Sequence, residues 1–380
     1  MHVVYLIDSL IAGGAERSLA ALAPQYARVG IRLEVAFLYE RDNVWRPAIE
    51  TAGAPVHSLA GSGGRVAAVR RVAALLRDRR PDLLHTTLFD ADVIGRTAAT
   101  LARVRVVTSL VNAAYGPEQL ADPAVKRWKL RAAQALDAVS ARKVTRFHAV
   151  STSVADTLAP RLRIARDRIE VIPRGRDASE LGERTAARRD AARAALGLSA
   201  AERLVLAVGR HEFQKGFDVL TRAFARVRAA HPEARLVVAG RPGAGTTELR
   251  SLIAQLDVAR AVDLLGFRAD VADLLCAADV FVSASRWEGS PGGVLEAMAL
   301  AAPIVATDIA PVREVLGDAS GARLVPVDDV GALATAIFDA LGDRSEGTAG
   351  TAALRARFLE HYTIERVADR MREFYERALA

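Results

Sequence analysis

Residues 280–308 read VFVSASRWEGSPGGVLEAMALAAPIVATD. A short β-branched run (VFVSAS) is followed by a turn carrying Gly289, Pro291, Gly292 and Gly293. Next comes a helix pattern from Val294 (VLEAMALA), then a second apolar run (PIVATD). A strand, a turn, a helix and a strand in this order make the repeating unit of a parallel sheet covered by helices. Glu288 stands just before the turn, and Glu296 follows eight positions later, where the pattern predicts the first helical turn. Packing explains neither carboxylate. Each can accept hydrogen bonds from a vicinal diol, which makes sugar hydroxyls fitting partners. The alternative is that Glu296 caps the helix and Glu288 is a loop charge.

The same alternation extends through the 380-residue chain. Strand-like runs in the first half are HVVYLI, RLEVAFLY, PVHSL, LLHTT, RVVTSLV, RFHAVS and IEVIP. In the second half they are RLVLAVGR, ARLVVAG, VDLLG, VFVSAS, PIVATD and ARLVPV. Many are apolar at every position, as expected of strands buried on both faces of a parallel sheet. The first series ends near Pro173, and a charged Ala-rich helix (ERTAARRDAARAAL) leads into the second. This gives an α/β protein of two domains, residues 1–175 and 176–361, with an amphipathic helix over 362–380. In that last helix Ile364, Val367, Met371 and Phe374 recur at 3–4 spacing. The segment GDRSEGTAGTA reads as a surface loop. In open sheets of this type ligands bind at the carboxyl ends of the strands, so the site is expected in a cleft between two facing sheets.

Composition narrows the partners. A net charge of +7 and a pI near 9.9 favour anions such as nucleotides or phospholipid headgroups. Aromatic content of 5% and the lack of zinc, RNP or basic-zipper patterns speak against nucleic acid. No apolar stretch is long enough for a transmembrane helix, and MHVVYLIDSL reads as a buried strand, not a signal peptide. The single cysteine, Cys276, lies in an apolar run and reads as core packing. The expected location is cytoplasmic.

Three further elements concern anions. After the first strand, LIAGGAERSLAAL places Gly13 and Gly14 at the start of a helix, whose free N–H groups attract negative charge. By itself this is equally an ordinary strand-to-helix turn. In AVGRHEFQKGFDVL, Arg210 closes a strand and Lys215 follows before Gly216. A guanidinium and an ammonium at a strand end suit a diphosphate, although two solvated loop cations would read the same. The turn at 288–294 opens a helix whose N-terminus presents further amides.

Taken together in this order, these elements resemble the retaining glycosyltransferases of family 4, with their two-domain GT-B fold. The resemblance covers nearly the whole length. It rests on GGAER, the GR and KG pairs at Arg210 and Lys215, the Glu288 and Glu296 pair, and EAMALAAPIVATD. In that family the C-terminal helix returns to the first domain. The resemblance implies that Arg210 and Lys215 neutralise the diphosphate of a nucleotide-sugar donor. It places Glu296 at the ribose and Glu288 by the transferred hexose. Amides from Ser290 through Gly292, Gly293 and Val294 would bind sugar and phosphate, and Arg268 would frame the base. Gly13 and Gly14 would approach the diphosphate. His85 corresponds to a strand-end histidine facing the donor sugar, so the implied catalytic set is His85, Arg210, Lys215 and Glu288. The implied acceptor is a lipid-linked, polysaccharide or small-molecule hydroxyl, and no cofactor or metal is required.

Two features depart from the pattern. The family's H-x-H is His85-Thr86-Thr87 here, and its Asn-Gly is Arg174-Gly175. Asp90 and Asp92 imitate a D-x-D metal motif, but at a helix start they read as caps. Two segments, GGRVAAVRRVAALLRDRR and AVKRWKLRAAQALDAVSARK, are basic. The first has Val66, Val69, Ala73 and Leu76 as its apolar stripe, and the second carries Trp128. Each suits peripheral docking on an anionic membrane and reads equally as a solvated helix face. Other GT-B enzymes, a phosphorylase or a nucleotide-sugar epimerase, are the alternative function, as is an inactive nucleotide-binding protein. Against a pyridoxal-phosphate phosphorylase, Lys215 is the only lysine of the second domain.

Overall fold

The structure, a computed structural model, describes residues 1–123, 125–318, 321–342 and 349–380. Two compact units are present. One comprises Met1–Asp177 with Tyr362–Ala380, the other Ala178–His361.

The first unit holds strands β1 (His2–Ile7), β2 (Arg32–Phe37), β3 (Val56–Ser58), β4 (Leu83–Thr87), β5 (Arg105–Leu110), β6 (Arg146–Ala149) and β7 (Ile169–Val171). They form one parallel sheet in the order β3-β2-β1-β4-β5-β6-β7. The second holds β8 (Arg203–Val208), β9 (Ala234–Ala239), β10 (Val262–Gly266), β11 (Val280–Ser283), β12 (Ile304–Thr307) and β13 (Ala322–Val325), in the parallel order β10-β9-β8-β11-β12-β13. Every strand expected from the sequence is present. Both sheets are doubly wound, and the order reverses between β1 and β4 and again between β8 and β11. These two switch points are where such sheets open a ligand crevice.

The helices that bear on the site are α1 (Gly14–Arg28), α2 (Gly64–Arg79), α3 (Phe89–Ala102), α4 (Arg127–Ala141), α5 (Thr152–Leu162), α6 (Phe217–Ala230), α7 (Gly292–Ala299), α8 (Ala349–His361) and α9 (Ile364–Leu379). Strand β1 shows why its sequence is apolar throughout. Val4 and Leu6 join the core under α2, α3 and α5, while Val3, Tyr5 and Ile7 join the core under α1 and α9. Helix α9 docks in the first unit through Ile364, Val367, Met371, Phe374 and Tyr375, all buried. Each large side chain so buried contributes about 1.5–3 kcal/mol, which accounts for the chain's return to the first unit. Gly175 lets it in, since a Cβ there would lie 2.9 Å from the Ile364 Cα.

Three expectations need correction. Residues 349–352, read as part of a loop, begin α8, and the rest of that segment from 343 to 348 lies outside the described residues. The apolar stripe of α2 is Ala68, Val72, Ala73 and Leu76, while Val66 points outward. The Asp90-x-Asp92 pair does not cap α3, because the cap residue is Leu88 and no side chain bonds there locally. The N-terminal amide of Ala91 is instead taken by Asp8 Oδ1 at 2.7 Å, from the end of β1. Asp90 accepts from Tyr39 and Arg65, and Asp92 lies 3.5 Å from the buried Arg96. Cys276 is buried in the core of the second unit, and burial pushes its thiol up.

Candidate functional site

In the second unit the site grows from the switch point between β8 and β11. After β8 come Gly209 and Arg210, then a single turn of 3-10 helix over Phe213–Lys215. Gly216 follows at φ 61°, in the left-handed region. A Cβ there would lie 2.1 Å from the Ala284 carbonyl oxygen. Only glycine therefore brings the start of α6 against the end of β11. That approach places Lys215 Nζ 2.5 Å from Glu288 Oε1. Ser285 Oγ donates to the same oxygen at 2.8 Å, and Gln214 Nε2 donates to the Trp287 carbonyl at 2.8 Å. Lys215 and Glu288 are thus one ion pair.

Arg286 ties the two loops together. Its guanidinium lies 4.0 Å from the centroid of the Phe213 ring and donates to the Phe213 carbonyl at 2.6 Å. It also donates to both oxygens of Asp218, at 2.9 and 2.7 Å. Burial would push the Asp218 carboxyl up, but the guanidinium overrides it and holds it below the usual range. Arg210, two residues past β8, has its side chain 53% exposed and 3.8 Å from Glu212. Of its neighbours, His211 is buried, with Nδ1 3.2 Å from Thr246 Oγ1. Its Nε2 has no partner among the described residues.

Helix α7 begins at Gly292, earlier than the expected Val294, so the glycines belong to the helix and not to the turn. A Cβ on Gly293 would lie 2.8 Å from Phe281 Cζ, so the missing side chain lets the helix settle on β11. The consequence is a correction for Glu296. It is past the first turn, 1% exposed, and does not cap the helix. The first N–H groups of α7 have no acceptor within the helix. Ser290 is buried at their mouth, and its Oγ has no partner among the described residues. Arg268, past β10, is held by both oxygens of Asp270 at 2.7 and 2.5 Å. Of these groups the structure joins Lys215 to Glu288; an ammonium–carboxylate pair and a helix N-terminus are groups suited to an anion joined to a polyol.

In the first unit, Gly13 is the cap residue of α1 and Gly14 its first residue. A Cβ on Gly14 would lie 2.8 Å from the Arg174 guanidinium, so the departure from Asn-Gly puts a cation beside this helix N-terminus. His85 differs from its expected place. It lies in the middle of β4, 1% exposed, with both ring nitrogens engaged. Nδ1 is 2.6 Å from the Tyr375 hydroxyl, and Nε2 is 2.7 Å from Ser109 Oγ. Ser109 Oγ is 2.7 Å from His148 Nδ1, His148 Nε2 is 2.7 Å from the Ile172 carbonyl, and Tyr375 is 3.1 Å from the Tyr26 hydroxyl.

One carbonyl orders this chain, because it can only accept. His148 therefore donates through Nε2 and accepts at Nδ1 from Ser109. Ser109 then accepts from His85 Nε2–H, His85 accepts from Tyr375, and Tyr375 accepts from Tyr26. Burial lowers both histidines, His85 well below the ordinary value and His148 to about 4, so both rings are neutral, as the chain requires. The sequence did not single out Ser109, His148, Tyr375 or Arg286, whose partners lie far along the chain. Among the described residues no group of three or more His, Cys, Asp or Glu is placed to hold a metal ion.

A protein of two doubly wound, parallel α/β sheets has counterparts among solved structures. HepE of Anabaena, solved with UDP and glucose, matches with a TM-score of 0.87 over 99% of this chain and 100% of that one, at 22% identity. WaaG, a glycosyltransferase involved in lipopolysaccharide biosynthesis, matches with a TM-score of 0.71 over 97% and 95%, at 17% identity. Residues 12–180 match the model for Glycosyltransferase Family 4, and residues 202–343 match that for Glycosyl transferases group 1. The chain belongs to the family 4 glycosyltransferases, and its fold is GT-B. Among relatives, the lipopolysaccharide core biosynthesis mannosyltransferase LpsB of Rhizobium meliloti is 31% identical over 49% of this chain and about half (54%) of its own length. The D-inositol 3-phosphate glycosyltransferase of Kineococcus radiotolerans is 29% identical over 97% and 91%.

Proposed function

We propose that this protein transfers a hexose-type sugar from a nucleotide-sugar donor to an acceptor hydroxyl, with retention at the anomeric carbon and without a metal. The observation that carries the reading is the Lys215–Glu288 pair at the β8/β11 switch point, with Arg210 exposed in the same segment after β8. In this reading Arg210 and Lys215 meet the negative charge that develops on the departing diphosphate, the electrostatic role for which preorganised cations are most effective. Glu288, released in part from Lys215 when phosphate arrives, takes a hydroxyl of the sugar. Glu296 takes the ribose. Ser290 and the first amides of α7, those of Gly292, Gly293 and Val294, bind sugar and phosphate oxygens, and Arg268 frames the base. In the first unit the Gly13–Gly14 turn with Arg174 beside it is the second anion-binding element.

His85 acts here as a positioning residue, since both its nitrogens are engaged within the fold. The relatives' names span mannosyl and N-acetylglucosaminyl transfer, so the sugar, the base and the acceptor (a glycan, a lipid-linked sugar or a small molecule) are left to experiment. The net charge of +7 and the lipopolysaccharide-related match support a cytoplasmic protein in peripheral contact with anionic membrane. Release of nucleoside diphosphate from a panel of nucleotide sugars, with NMR of the product's anomeric proton, tests the reading. Turnover with an inverted product, or none with any donor, would contradict it.

A further inference from the structure

The fold separates the two basic helices of the first unit. The apolar side of α2 is used inside the core, where Ala68, Val72, Ala73 and Leu76 are buried. Helix α4 is different. Of its 15 residues only Asp137 and Ala141 are buried. Trp128, Ala132, Leu136 and Val139 follow one another at helical spacing and all face solvent, Trp128 at 68% and Val139 at 59% exposure. Among the described residues no helix is long and apolar enough to cross a membrane. A continuous exposed apolar ridge on a helix marks a surface that meets something else.

Charge says what that is. Lys126, Arg127, Lys129 and Arg131 at the start of α4, and Arg142 and Lys143 just past its end, are exposed. Beside the ridge, α4 and the end of α5 form a groove lined by Arg131, Gln134, Val139, Arg142, Arg161 and Arg163. Four guanidinium groups share that groove and no carboxylate lines it. Arg161 Nη1 also donates to the Ala114 carbonyl at 2.9 Å, which fixes that guanidinium in place. Asp137, the one acid of α4, is turned inward to Arg96 at 2.6 Å and Tyr115 at 2.8 Å. The nearest acids by sequence, Glu118 and Asp122, precede the helix. An apolar ridge led by Trp and flanked by Lys and Arg is the make-up of a helix that lies in a membrane interface, and guanidinium forks suit phosphodiesters.

We propose that α4 docks this protein on an anionic phospholipid bilayer. Trp128, Leu136 and Val139 reach the acyl boundary, and Arg131, Arg142, Arg161 and Arg163 hold a lipid phosphate. This locates the membrane contact of the reading above and does not depend on the donor chemistry.

The test is sedimentation of the full chain with vesicles of phosphatidylcholine, with and without phosphatidylglycerol, at low and high salt. Nucleotide affinity is measured on every sample. The expected result is binding to the anionic vesicles only, weakened by salt. It should fall roughly tenfold or more for Arg142→Glu/Arg163→Glu and for Trp128→Ala. The control Arg70→Glu/Arg77→Glu on α2 should bind as the parent does, and nucleotide affinity should be unchanged throughout. Absence of binding to anionic vesicles while nucleotide binding is intact would overturn the docking and leave the transferase reading standing. Unchanged vesicle binding by both α4 variants would also overturn it, as would an equal loss from the α2 control. Displacement by inorganic phosphate at constant ionic strength would assign the groove to a soluble phosphate and overturn the proposal too.

Discussion

His85 Nδ1 lies 2.6 Å from the hydroxyl of Tyr375, 290 positions along the chain. The contact is the second of five links in a buried relay from Tyr26 through Tyr375, His85, Ser109 and His148 to the Ile172 carbonyl, and it joins the C-terminal helix to the sheet. Because that carbonyl dictates every donor, the relay can break at any member. Tyr375→Phe removes the proton offered to His85 and the acceptor for Tyr26. An unmet buried group costs about 1–3 kcal/mol. Urea unfolding should show a loss of that size, and Tyr26→Phe, at the free end of the relay, should cost less.

The relay also has a pH signature. The folded pKa of His148 is lowered to about 4 from an ordinary 6.5, by burial. Between those values the unfolded chain binds the proton and the folded one does not. Its contribution is complete above the unfolded pKa and is lost as pH falls toward 4, at up to about 1.4 kcal/mol per pH unit. Asp8 and Asp92, raised by burial to about 6 and about 8, act in the opposite direction over overlapping ranges. The comparison must therefore be between variants. The stability gap between the parent and His148→Gln should narrow as pH is lowered from 7 to 5. A gap that stays constant would show that His148 keeps an ordinary pKa.

Lys215 and Glu288 share one oxygen contact and should not behave as independent residues. Lys215→Met leaves Glu288 without its cation, and Glu288→Gln leaves Lys215 without its anion. Each change should lower kcat/KM by roughly 100-fold or more, the scale of losing one transition-state electrostatic contact. The double variant should be far less impaired than the product of the two. Strict additivity in this cycle would mean that the two groups do separate work.

Glu296 is buried and is assigned here to the ribose. The parent should then prefer a nucleoside diphosphate over its 2′-deoxy form by about 1–3 kcal/mol. Glu296→Gln should reduce that preference, and Glu296→Ala should abolish it, as read by calorimetry. Discrimination that survives in the alanine variant would place the ribose elsewhere.

Much of this molecule was legible in the sequence because parallel strands buried on both faces carry a strong local signal. Each of the expected strands formed, and so did the returning helix at 364–379. The candidate site residues Arg210, Lys215 and Glu288 stood out because they are charges close behind apolar strands; they lie in the segments that follow β8 and β11, where Lys215 meets Glu288. Less could be read where partners are distant or a glycine plays two parts. Gly292 and Gly293 look like a turn but start α7, because the missing Cβ fits against Phe281. The Ala91 amide in the first turn of α3 is taken by Asp8, 83 positions away, so no local motif reveals that partner. His85 resembles a site residue, yet its burial depends on Tyr375 and Ser109, which local pattern cannot bring to it.

The central claim is that the second unit holds a nucleotide-sugar donor through Arg210, Lys215 and Glu296 without a metal. The most direct measurement is titration calorimetry of the protein with UDP, GDP, ADP, dTDP and CDP in the presence of EDTA, repeated with Arg210→Ala. One nucleotide should bind, with equal affinity with and without EDTA, and that binding should weaken by about tenfold or more in the variant, the scale of a lost charge-assisted contact. Failure of all five to bind the intact protein, or binding that vanishes with EDTA, would contradict the account.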